Sequence, residues 1–117
     1  MFTDQAHVVR AAALDDDELE LDPLAPSQLV SGDPLVRVMS LHESDDLAVG
    51  IWQHGVGVST DVEADEVFVV LTGSATIAVE GAPDLHVGPG DVGVLPAGAR
   101  TTWTVHETLR KVYVVRP

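Results

Sequence analysis

From Leu35 onward, hydrophobic and polar positions alternate in short runs: residues 35–41, 47–54, 65–72, 74–80, 84–87, 91–95, 100–106 and 110–116. In the second run Leu47, Val49, Ile51 and Gln53 alternate with Ala48, Gly50, Trp52 and His54, the period of two expected when successive side chains leave opposite faces of a strand. Between the runs stand turn formers: Glu43-Ser44-Asp45-Asp46, then Gly55 and Gly57, Gly73, Gly88-Pro89-Gly90-Asp91 and Pro96-Ala97-Gly98. Short strands at this spacing, with almost no helical period, predict an all-β, single-domain antiparallel barrel or sandwich.

The stretch before it reads differently. Residues 1–31 run through Ala11-Ala12-Ala13-Leu14 into Asp15-Asp16-Asp17-Glu18, then Leu19, Leu21, Pro23 and Pro26. Like charges followed by two prolines suit an exposed acidic arm with at most one short strand, at residues 6–10, leading into a barrel over 32–117. Leu19, Leu21, Leu24 and Leu29 need cover that such an arm cannot give itself, so the arm is expected to lean on a partner in a homodimer.

Composition narrows the function. At 117 residues and 45% hydrophobic the chain can bury one core. Its apolar runs fall far short of the roughly 20 residues that span a bilayer, and no basic-then-apolar leader opens it, so a cytoplasmic protein without a membrane partner is expected. There is no cysteine, which removes disulfides and thiolate metal sites. A net charge of −13, from 19 acidic and 6 basic residues, argues against phosphate backbones and hence nucleic acid.

Two spacings carry more information. Glu66 precedes Gly73 within DEVFVVLTG, and Gly90, Pro96 and Gly98 punctuate GDVGVLPAG. Together they resemble the two motifs of the cupins, small jelly-roll barrels. Gly50-Ile51-Trp52 and the closing WTVHETLRKVYVV are similar to the small cupins related to the ureidoglycine aminohydrolase domain. The resemblance implies a jelly roll and, in most cupins, a metal held by three histidines and a glutamate. Here the first histidine pair falls on Ser59 and Asp61, or Thr60 and Val62, and the last on Thr101, leaving Glu66. Without imidazoles no metal cofactor is expected. Asp61 and Glu66 would offer only a weak oxygen site for a hard divalent cation.

By the register that the resemblance implies, Glu66, Phe68 and Val70 face inward from one strand and Thr101, Trp103 and Val105 from another. Trp52 and Trp103, the only tryptophans, either hold a small-molecule ligand or fill the core. Lys111, the only lysine, shares a strand face with Tyr113, while Arg110, Val112 and Val114 occupy the other. If the first face points inward, Glu66 and Lys111 form a candidate catalytic pair beside the ligand-binding set Trp52, Phe68, Thr101, Trp103 and Tyr113. If not, Lys111 lies in solvent. His54 reads as a surface residue at a strand end or as part of the barrel mouth; His86 and His106 read as solvent-facing. Three functions follow: a small polar metabolite bound in the lumen without the histidine site, a metal-dependent hydrolase of the ureidoglycine aminohydrolase type with altered ligands, or a non-catalytic structural or regulatory cupin.

Overall fold

The computed structural model describes residues 2–117. Nine strands are formed among them: β1 (Glu20–Leu21), β2 (Leu29–Gly32), β3 (Arg37–Glu43), β4 (Ala48–His54), β5 (Gly57–Val62), β6 (Asp65–Val79), β7 (Leu85–Val87), β8 (Val92–Leu95) and β9 (Arg100–Arg116). All pairings are antiparallel, running β1-β3-β4-β9-β5-β2, with β6 joined to β7, β8 and β9. The two long strands bind the roll together. The first half of β6 pairs with β8 and the end of β9, the second half with β7 and the start of β9. The result is an all-β jelly roll, and among the described residues no helix is long and apolar enough to cross a membrane.

Residues 65–80 therefore do not form two strands separated by a turn. Gly73 sits at a register shift inside β6, with φ of +86°, and a Cβ there would lie 2.0 Å from the Thr108 carbonyl oxygen. The bulge inverts parity: Phe68 and Val70 face the core before it, Ala75 and Ile77 after it. Residues 100–116 likewise form one strand, and parity holds throughout, so Trp103, Val105 and Leu109 share the core with them.

β5 was not expected at all. Gly57, Ser59 and Asp61 give its inner face a loop-like composition, because that face lines a polar cavity instead of the core. The N-terminal segment is exposed along most of its length, as expected of an arm, but it lies against the barrel. No strand forms at residues 6–10; instead β1 and β2 arise later, pairing with β3 and β5. Leu19 is 2% exposed within its own chain. The segment is fastened by Arg110, which points to the outer face yet is buried. It donates to the carbonyls of Ala11 and Leu14, to Gln53 Oε1 and to Asp16 Oδ1. Four partners satisfy a guanidinium whose geometry is a fixed fork of donors.

Candidate functional site

The inner faces of β4, β5, β6 and β9 converge on a cavity of about 330 Å³. Antiparallel pairing places Trp52 opposite Lys111 and Ser59 opposite Trp103, and the β6 register sets Phe68 opposite Tyr113. Asp22, Pro23, Leu24 and Gln28 of the N-terminal segment form part of the wall, so the segment helps to close the barrel end.

At the floor, Lys111 Nζ donates to Glu66 Oε2 at 2.5 Å. The ammonium also lies 4.4 Å from the ring centre of Trp52 and 4.6 Å from those of Phe68 and Trp103. A buried cation needs both charge neutralisation and polarisable surroundings, and this lysine has a carboxylate and three aromatic faces. The face bearing Lys111 and Tyr113 thus points inward.

In the wall itself is a second carboxylate that sequence reasoning passed over. Glu63 is buried, and its Oε2 accepts from Thr101 Oγ1 at 2.6 Å and from Trp103 Nε1 at 3.1 Å. Within the acidic run DVEADE it looks like a surface residue; only the neighbouring strand supplies its donors. Asp61 stands at the mouth. Burial of its carboxyl raises its pKa, Glu63 and Glu66 push the same way, and the Val62 N–H bond and Lys111 oppose them. Tyr113 is raised by burial first and then by the carboxylates of Glu43, Asp22 and Glu66.

His54 is fully buried, not a surface residue. Its Nδ1 lies 2.6 Å from the Gly55 carbonyl and its Nε2 lies 2.8 Å from Ser59 Oγ. Burial depresses its pKa, Lys111 adds to that, and the Gly55 bond opposes it. His86 and His106 are exposed, both within reach of Thr76 Oγ1.

Of the residues singled out from sequence, Trp52, Asp61, Glu66, Trp103, Lys111 and Tyr113 line the cavity. Phe68 is packed into the core beneath Lys111, and the Thr101 hydroxyl is committed to Glu63. Of the positions that the cupin resemblance gives to histidines, Ser59 is bonded to His54, Asp61, Thr60 and Val62 carry no imidazole, and the Thr101 hydroxyl is taken by Glu63, while Glu66 faces an ammonium. Among the described residues no group of three or more His, Cys, Asp or Glu converges as a metal site. The donor set does not fit a histidine-type transition-metal centre.

Fold and site define a cupin whose lumen carries a lysine–glutamate pair. The EutQ-like cupin domain matches residues 41–113, and the chain belongs to that family. Similar solved structures include the EutQ protein of Clostridium difficile, 23% identical with a TM-score of 0.64 over 78% of this chain and 76% of that one. A protein of unknown function from Acidithiobacillus ferrooxidans is 26% identical, TM-score 0.60, over 86% of this chain and 96% of that one. The DMSP lyase DddQ from Ruegeria pomeroyi is 19% identical, TM-score 0.68, over 86% of this chain and 57% of that one. No curated protein matches the chain.

Proposed function

We propose that the protein binds a small polar metabolite in the barrel lumen, with the Lys111 ammonium occupying the place that the cupin resemblance gives to a metal. The observation that supports this most is the ion pair itself, on the wall of a cavity of about 330 Å³. That volume suits a ligand of a few heavy atoms, at the low end of small-molecule sites, roughly 300–1,000 Å³. Trp52, Trp103 and Tyr113 offer ring faces and edges. Asp22, Asp61, Glu63 and Glu66 outnumber Lys111, which favours a neutral or cationic ligand over a carboxylate. No resident metal is part of this reading. The ureidoglycine aminohydrolase type would need a donor set that Ser59, Asp61 and Thr101 do not supply.

A thermal-shift screen of small primary amines, amides, polyols and dicarboxylates tests the reading. A saturable rise in melting temperature with a neutral or cationic compound, lost in Trp52→Ala, is expected. Stabilisation by dicarboxylates alone, or by nothing, overturns it.

The assembly we propose is a homodimer formed through the outer sheet face. Val94, Val67 and Val114 make one cross-strand row there and Val92, Val69 and Val112 the next. Five of these six are exposed, Val94 at 67%. On a chain of net charge −13, a valine face bordered by the oppositely charged cross-strand neighbours Asp65 and Arg116 is where two copies can approach with little repulsion.

A further inference from the structure

The buried contact between Ser59 and His54 has no part in the binding reading, yet it has the form of an activated nucleophile. Gly55 contributes a carbonyl, which can only accept, so His54 Nδ1 carries the proton in the 2.6 Å bond. In the neutral ring Nε2 is then a lone pair, and the Ser59 hydroxyl donates to it at 2.8 Å. The backbone carbonyl thereby fixes the tautomer and orientation of the base, as a third group does in nucleophile–base sets generally. Burial lowers its pKa and so favours the neutral ring, which is the form that can take a proton.

Placement turns this geometry toward chemistry. Ser59 lines the cavity, while His54 is absent from its wall and stands behind the serine, shielded by Trp52 at 5.3 Å between ring centres. Among the described residues Lys111 is the one cation on the same wall. A carbonyl compound entering the lumen meets a hydroxyl backed by a base in a cavity whose lining also carries the Lys111 ammonium, a cation that stabilises negative charge developing on a carbonyl oxygen.

The geometry points to Ser59 as the nucleophile of an acyl-transfer site for small carboxylic esters, with His54 as its base. Ser59 Oγ bonds to the ester carbonyl carbon as its proton passes to His54 Nε2. The tetrahedral species collapses by breaking the bond to the alkoxy oxygen, which takes that proton and leaves as the alcohol. Water, surrendering a proton to His54, then attacks the acyl-serine and releases the acid and the free serine. Atoms and electrons balance with water as the sole co-reactant. The inference rests on the binding reading only in requiring that the lumen admit a small molecule.

The experiment uses p-nitrophenyl acetate with the full chain, following p-nitrophenol release and mapping acetylation by peptide mass spectrometry. Acetyl at Ser59 is expected, with release dependent on pH through one group. Ser59→Ala abolishes it and His54→Gln slows it by about 100-fold or more, the usual range for a general base. Ser59→Ala is smaller and leaves no new charge, so it keeps the result interpretable if His54→Gln does not fold. Release unchanged in Ser59→Ala, or acetyl only on Lys111, overturns the proposal. Absence of acetyl–Ser59 while a lumen ligand still raises the melting temperature overturns the acyl-transfer site and leaves binding intact; absence of both overturns the two together.

Discussion

Lys111 Nζ and Glu66 Oε2 lie 2.5 Å apart with their side chains 6% and 9% exposed, so each charge is the other's main solvent. Breaking such a pair from one side leaves an uncompensated buried charge. Lys111→Met should therefore lower stability by about 3–5 kcal/mol, read from the urea denaturation midpoint. Replacing both partners, as Lys111→Met with Glu66→Leu, should recover most of that loss. A midpoint that Lys111→Met leaves unmoved contradicts the pairing.

The depressed pKa of His54 sets a sign for acid stability. Between its folded value and the unfolded value near 6.5, the unfolded chain binds the proton that the folded chain refuses, so stability rises with pH across that window. Full stability is present above about pH 6.5 and is lost as pH falls below it, by at most about 1.4 kcal/mol per unit. Around the ring stand Ser59, Trp52, the Gly55 carbonyl and, electrostatically, Lys111; no carboxylate is among the causes of its shift, so none offsets the penalty. The raised Asp61 acts oppositely at lower pH, favouring the folded state when protonated. Denaturation midpoints at pH 7.5 and 5.5 should differ more for the native protein than for His54→Gln; equal differences would remove His54 as the cause.

Arg110 should matter far more than its surface ion pair suggests. Asp16 is 69% exposed, so Asp16→Ala should cost under about 1 kcal/mol. Arg110→Ala removes the donors to Gln53, Ala11 and Leu14 as well and should cost about 2–3 kcal/mol. Limited proteolysis should then cut within the first 18 residues at a much higher rate. Equal protease resistance in Arg110→Ala would show that other contacts hold the segment.

Light scattering at micromolar concentration should give twice the chain mass, and Val94→Glu, placing a charge in the outer valine row, should give the monomer with little change in melting temperature. A native monomer, or a dimer indifferent to Val94→Glu, contradicts the proposed face.

The jelly roll was legible because its inner rows are apolar at every second position: Phe68 and Val70, Trp103 and Val105. Where the rows turn polar, reading by period fails. β5 was missed because Ser59 and Asp61 face the cavity, and Glu63 because its donors, Thr101 and Trp103, are about forty residues away. Lys111 could be placed only by knowing whether parity survives residues 106–109; it does, whereas in β6 it inverts at Gly73. His54 sits at the end of β4, where a strand normally meets solvent, but β5 turns back across it within five residues. Of the N-terminal leucines only Leu19 is covered by its own chain, while Leu21 and Leu29 stay exposed; nothing in the sequence announces that Arg110 ties the segment to the barrel through the Ala11 and Leu14 carbonyls.

Since Lys111 is the chain's only lysine, lysine-selective ¹³C labelling yields one set of methylene signals, and these report directly on the lumen. The ring faces of Trp52, Phe68 and Trp103 around the ammonium should shift its Hε protons well upfield of those of an exposed lysine. A compound that stabilises the protein in the thermal-shift screen should move the same signals saturably. Signals at the values of an exposed lysine, unmoved by that compound, would contradict both the lysine–glutamate centre and the lumen as the binding site.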